Sequence, residues 1–192
     1  MSEFAMADLT GGQLNAIVKK LGGHDGALRF LRGELVVFEV QPAPELVLDF
    51  TIQVDRTIRP TYPDWMKELK HPELELAGPA SYDLQSLELW LHDKQKSGTV
   101  EGNAIYKELK RTDALENCLN LQDLLAIQAK GIETFRKLFA GKAVFAWKSV
   151  VLDRYGSLGV PCLVERDGEV VLRWRWLGDS WSSHDPALRF AK

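Results

Sequence analysis

Two cysteines in 192 residues, Cys118 and Cys162, leave this chain without a disulfide framework or a CxxC redox or zinc motif. Each lies in an apolar pattern, where cysteine acts as a small buried hydrophobe, so a reducing compartment is expected. No apolar run reaches the roughly 18 residues that a membrane-crossing helix needs. Met1 to Ala5 lack the basic and apolar regions of a secretory signal, Met6 offers a second start, and the expected location is the cytoplasm. Catalytic signatures are missing as well. There is no G-x-S-x-G, and Gly141-Lys142 is not a phosphate loop because Arg136 stands where G-x-x-x-x-G-K requires glycine. Excess positive charge is also absent: the net charge of −3 disfavours indiscriminate binding to nucleic acid.

What is present is an ordinary globular composition, 45% hydrophobic and 27% charged. The charge is unevenly spread. Residues 1–129 hold 13 Lys and Arg against 20 Asp and Glu, a net of −7, and residues 130–192 hold 11 against 7, a net of +4. The C-terminal part could therefore meet an acidic ligand or another protein, or the two parts could neutralise each other within one fold.

Near the N-terminus, Thr10 and Gln13 have the spacing of a capping box, followed by Leu14, Ile17, Val18 and Leu21 on one helical face and Gly22-Gly23 as a stop. Asp25 is placed to cap a second helix that ends at Gly33. Leu35 to Val40 and Leu46 to Ile58, with Pro42 and Pro44 between them, read as a hairpin. The strongest strand signal is the alternation of Leu46, Leu48, Phe50, Ile52 and Val54 with polar residues. Four prolines between 59 and 80 mark a candidate sub-boundary in a chain otherwise expected to form a single compact unit over 1–192, with one short helix around Trp65, Met66 and Leu69.

Residues 83–140 read as helical. Asp83 is the first expected cap, with Leu84, Leu87, Trp90 and Leu91 on one face; Asn120 with Asp123 marks a later start, followed by Leu124, Ile127, Phe135 and Phe139. The remainder is strand and turn: Ala143–Leu152, Val160–Arg166 and Glu169–Leu177, the last two joined by Asp167-Gly168, a hairpin signal because a type I′ turn needs positive φ at both central positions. The fold class that results is α+β: an antiparallel sheet, made of the N-terminal hairpin and a C-terminal three-stranded meander, covered by helices. An echo links the two ends. His24-Asp25-Gly26-Ala27-Leu28-Arg29-Phe30-Leu31 and His184-Asp185-Pro186-Ala187-Leu188-Arg189-Phe190-Ala191 agree at six of eight positions, and both read as short capped helices.

Candidate chemistry is sparse. His71, His92 and Asp93, with Asp113 as a further candidate, are the residues that an HD-type metal-dependent phosphohydrolase would use, but helix capping explains the other His-Asp aspartates, and no metal or cofactor is expected. The N-terminal helix pair could be a helix-turn-helix, although its second helix offers DNA only Arg29 and Arg32 in an acidic part of the chain. Trp174 and Trp176 share a strand face opposite Arg173 and Arg175; they could stack bases or sugars, but a sheet beneath helices needs such a pair as core. Trp181, within Asp179-Ser180-Trp181-Ser182-Ser183, is expected to be the exposed aromatic. With Arg173 and Arg175 it is the expected contact for a ligand or partner.

The segment from Gly131 through Phe135-Arg136-Lys137-Leu138-Phe139, Gly141-Lys142, Ala146-Trp147-Lys148-Ser149 and the terminal Asp185-Pro186-Ala187-Leu188-Arg189-Phe190, with Leu21-Gly22-Gly23 and Phe30-Leu31-Arg32-Gly33-Glu34-Leu35, resembles a family of small hypothetical proteins of candidate-phylum bacteria. The resemblance covers most of the chain from Leu9 on. It implies a bacterial origin and carries no activity. The functional expectation is a non-catalytic binding or interaction protein, with an enzyme whose site is assembled from distant residues as the alternative.

Overall fold

Thr10 and Gln13 cap each other as their spacing predicts: Gln13 Oε1 accepts from the Thr10 amide at 2.8 Å and the Gln13 amide donates back to Thr10 Oγ1 at 3.4 Å. They open α1, Gly11–Lys20, which Gly22 ends in the left-handed region at φ 93°. The second helix, α2, Gly23–Leu31, has Gly22 as its N-cap, so Asp25 lies inside the first turn rather than capping it. The computed structural model describes residues 9–36 and 48–191, and the chain divides into two compact units, Met1–Leu46 and Val47–Lys192. The division falls before the proline-rich segment 59–80, which belongs entirely to the second unit. The first strand of the expected N-terminal hairpin and its proline turn fall largely on 37–47, outside the described residues.

The second unit is α+β. In chain order it comprises β1 (Thr51–Gln53), β2 (Met66–Leu69), β3 (Ser81–Asp83), β4 (Leu87–Trp90), α3 (Asp93–Ser97), β5 (Val100–Glu101), α4 (Gly102–Arg111), α5 (Leu121–Ala129), α6 (Gly131–Phe139), β6 (Val144–Phe145), β7 (Val151–Asp153), β8 (Leu158–Arg166), β9 (Glu169–Trp176), β10 (Ser180–Trp181) and β11 (Ala187–Phe190). The alternation read near residue 50 holds, with Ile52 and Val54 buried and Thr51, Gln53 and Asp55 exposed. Its described partner is β3, however, in a two-stranded sheet of its own.

The main sheet has seven strands and is mixed. Asp167 and Gly168 both take positive φ, 53° and 83°, and join β8 to β9 over eight antiparallel pairs from Gly159↔Trp176 to Arg166↔Glu169. The other edge of β8 is shared. Its start pairs with β7 and its middle with β6, so the sheet forks: one branch runs β7–β2, the other β6–β11–β4, with β6 and β11 parallel. Between the two branches the run Ala143–Leu152 breaks into a 3-10 turn, Trp147–Ser149.

Three expected helices are strands. Around Trp65 the chain forms β2 against β7, and after Asp83 only one 3-10 turn, Leu84–Ser86, precedes β4. Asp83 does cap, accepting from the Gln85 amide at 2.8 Å, but β4 and β11 then complete each other's ladder, and a helix in either would leave the other's backbone unpaired. For the same reason the C-terminal copy of the echo is a strand. Ala-Leu-Arg-Phe is helical at 27–30 and extended at 187–190.

Both faces of the sheet are covered. On one, Phe145, Trp147, Val160, Cys162, Leu177 and Trp181 meet Ile105, Tyr106 and Leu109 of α4. On the other, Val144, Leu163, Val170 and Leu188 meet Leu124 and Ile127 of α5, Phe135 and Phe139 of α6, and Ile52. Burial pushes the thiols of Cys118 and Cys162 up to about 12, as expected of inert apolar cysteines.

Candidate functional site

The fork places a lysine where the core would otherwise be apolar. In the turn Trp147–Ser149, Trp147 enters one apolar cluster while Lys148, only 2% exposed, lines a cleft of about 600 Å³ together with Leu74, Ala77, Gly78, Pro79, Glu116, Asn117 and Phe190. Such a volume lies in the range of about 300–1,000 Å³ typical of small-molecule clefts. An ammonium has three donors to place. Among the described residues Lys148 Nζ finds one acceptor, the Ala77 carbonyl at 3.2 Å, and it lies 5.7 Å from the centre of the Phe190 ring. Burial pulls its pKa below the ordinary lysine value, opposed chiefly by the charge of Asp123.

A buried polar network holds this wall in place. Asp123, fully buried on the first turn of α5, accepts from Arg56 Nη2 at 2.5 Å, from the Tyr82 hydroxyl at 3.2 Å and from the Asn120 amide at 3.0 Å. Asn120 Oδ1 accepts from the Asp123 amide, which completes the capping box, and Asn120 Nδ2 donates to the Glu75 carbonyl at 2.8 Å. Arg56 Nη2 also donates to the Pro79 carbonyl at 2.8 Å. Segment 75–79, which forms one lip of the cleft, is thereby tied to the start of α5. Backbone conformation favours glycine at Gly78: its φ is 140°, which other residues rarely adopt, and a Cβ there would also displace Arg56 Nη2, 2.9 Å away. Ser149 fixes the other side, its Oγ accepting from the Leu121 amide at 2.8 Å.

Behind this lip Glu75, 1% exposed, accepts from the Tyr62 hydroxyl at 2.5 Å through one oxygen, while among the described residues Oε1 has no partner. Burial raises the pKa of Glu75 and drives that of Tyr62 well above the ordinary phenol value.

The residues singled out in the sequence fall elsewhere. Trp181 is fully buried, which corrects the expectation of an exposed contact: its ring lies 4.2 Å from Phe145 and 5.1 Å from Trp147, and Gly102 abuts it so closely that a Cβ would fall 2.6 Å from Trp181 Nε1. Its polar neighbours suggested a surface loop. They do face water, but Ser180–Trp181 pairs with Val100–Glu101 as a strand, and alternation turns the one apolar residue inward. Arg175 covers that ring at 4.9 Å, binds Asp185 at 2.5 Å and donates to the Ser180 carbonyl at 2.6 Å, so it serves the loop's structure. Arg173 is exposed, as expected.

Trp174 and Trp176 are the converse case. On their strand face only Val170 and Leu172 join the cluster formed with α5 and α6, whereas Trp174 and Trp176 are met by Trp65, at 5.4 and 5.2 Å, and Trp176 remains 37% exposed.

The metal candidates do not converge. His71 Nε2 is 2.6 Å from the Tyr106 hydroxyl, His92 Nδ1 accepts from the Lys94 amide at 3.1 Å as a helix cap, and the Asp93 side chain is 92% exposed. Among the described residues no three His, Cys, Asp or Glu side chains gather as metal ligands. Arg29 and Arg32 lie on an open face, each 3.6 Å from a carboxylate oxygen of Glu34. Among the described residues no helix is long and apolar enough to cross a membrane.

Comparison with protein-family models, curated proteins and solved structures finds no match.

Proposed function

We propose that this is a non-catalytic binding protein whose ligand is a small molecule seated in the Lys148 cleft, presenting an oxygen acceptor to Nζ and an apolar surface to Leu74, Pro79 and Phe190. One observation carries the reading: a lysine 2% exposed, with a single acceptor among the described residues at 3.2 Å, lining an open cleft. Burying an amine with donors unmatched costs free energy, and a ligand oxygen would recover it. The second support is rigidity. Arg56, Asp123, Asn120 and Tyr82 brace the lip without entering the cleft, as a preformed site requires. The ligand fits the expectation of an acidic partner in its acceptor group but not in location, since the donor it meets is Lys148 rather than Arg173 or Arg175.

The test is a thermal-shift panel of small carboxylates and carbonyl compounds, from acetate and pyruvate to benzoate, on the wild type and on Lys148→Met. At a concentration 100 times its Kd, a ligand bound only by the folded state adds about 2.7 kcal/mol of stability. Compounds that raise the wild-type Tm and leave Lys148→Met unmoved support the proposal. Equal shifts in both proteins, or none in either, contradict it.

A further inference from the structure

Lys148 has one property that anchoring a ligand does not require. A surface lysine at neutral pH is an ammonium because water solvates all three of its N–H groups, and protonation occupies the lone pair that would make it a nucleophile. Among the described residues the surroundings of Lys148 offer one carbonyl, the Ala77 oxygen at 3.2 Å, and the face of the Phe190 ring. A neutral amine, with two N–H groups and a free lone pair, leaves fewer donors unmatched beside one acceptor than an ammonium with three. The titratable groups that influence it are Asp123 from α5, Glu116 from the turn after α4, Arg56 from the segment after β1, and the Cys118 thiol. Asp123 is the strongest of these, but Arg56 already neutralises it at 2.5 Å, so the desolvation that favours the neutral amine prevails.

We propose that Lys148 captures a small aldehyde or ketone as an imine, the carbonyl carbon entering the cleft beside Phe190. This rests on the reading of the cleft as a ligand site and names the ligand's chemical class. The lone pair of neutral Nζ forms a C–N bond to the carbonyl carbon as the C=O π pair moves to oxygen. A proton passes from nitrogen to that oxygen, giving a carbinolamine. Loss of hydroxyl, protonated as it leaves, and of the remaining N–H proton gives C=N and one water. No oxidant or reductant is consumed.

The experiment uses the full chain with glyoxylate and sodium cyanoborohydride at pH 7, which reduces any imine to a stable carboxymethyl-lysine, located by peptide mass spectrometry over a time course. Each unit by which an amine's pKa is lowered multiplies its neutral fraction about 10-fold near neutral pH. The expected result is labelling of Lys148 about 10-fold or more faster than the exposed Lys67, Lys94 and Lys107, slowed by benzoate if benzoate occupies the cleft. Lys148→Arg keeps a long donor side chain and cannot form an imine; it should lose the fast phase while its circular dichroism is unchanged, and if it misfolds, Phe190→Leu serves as the second variant, slowing the labelling of Lys148 alone. Labelling of Lys148 no faster than the surface lysines overturns the proposal. If carboxylates still shift the wild-type Tm and not that of Lys148→Met, the imine alone has failed; if that difference is also absent, the ligand site has failed with it.

Discussion

At the scale of single residues, the side chains that matter most are polar groups buried with incomplete partners. Glu75 is one. Its folded-state pKa lies above the ordinary carboxyl value, so the folded protein binds more protons than the unfolded chain once pH exceeds about 4.5, and stability contributed by the protonated form is lost as pH rises through the folded value. Glu75→Gln keeps an acceptor for the Tyr62 hydroxyl and removes the charge. Urea midpoints measured from pH 4 to pH 8 should fall less steeply with pH in the variant and lie above the wild type at pH 8; parallel curves would contradict this. Trp181 makes the opposite case, an aromatic whose flanks suggest exposure and whose ring is buried between Phe145, Trp147 and Arg175. Trp181→Ala should cost about 3–5 kcal/mol by chemical denaturation, the range for emptying a buried aromatic site. A cost under about 1 kcal/mol would place the ring at the surface. Lys148 was visible in sequence as the one charged residue in the run Ala143–Leu152, yet nothing local distinguishes a lysine at a strand break from one on a wet strand face.

At the scale of elements, local signals were reliable where they are self-sufficient. The capping boxes at Thr10 and Asn120 and the Asp167-Gly168 turn form as their residues prescribe, because each closes hydrogen bonds or satisfies φ within four residues. The period-2 burial around Ile52 follows equally from the sequence. What sequence could not supply is the partner of a strand. Leu84, Leu87, Trp90 and Leu91 fit a helical face, but β4 is extended because β11, about a hundred residues later, pairs with it at Leu87↔Phe190 and Ala187↔Trp90. The repeated Ala-Leu-Arg-Phe shows how far tertiary context overrides propensity. Leu188 is fully buried in β11 while Leu28 is only partly buried in α2. Leu188→Ala should therefore cost about 2–5 kcal/mol and Leu28→Ala distinctly less, read from the unfolding midpoints of the two variants; equal costs would contradict the difference in packing.

At the scale of the molecule, the forked sheet and the site are one feature. A nine-residue β8 with β7 and β6 side by side on one edge forces a break between those strands, and the break carries Lys148. The parts that brace the cleft come from Arg56, Glu75, Tyr82, Asn120 and Asp123, positions spread over some seventy residues and brought together only by pairing between distant strands. For that reason the α+β class was readable from pattern while the site was not: Asn120 and Asp123 announced a cap, and a cap gives no hint that the same carboxylate also holds Arg56 and Tyr82. The most direct test of the ligand site is a backbone amide and lysine side-chain NMR titration of the full chain with the tightest-binding compound from the panel. The account predicts that the largest shifts fall on Lys148 and on the cleft walls at Leu74, Ala77, Asn117 and Phe190, with Trp181, His92 and Arg173 unmoved. Shifts that leave Lys148 and those walls untouched would contradict it.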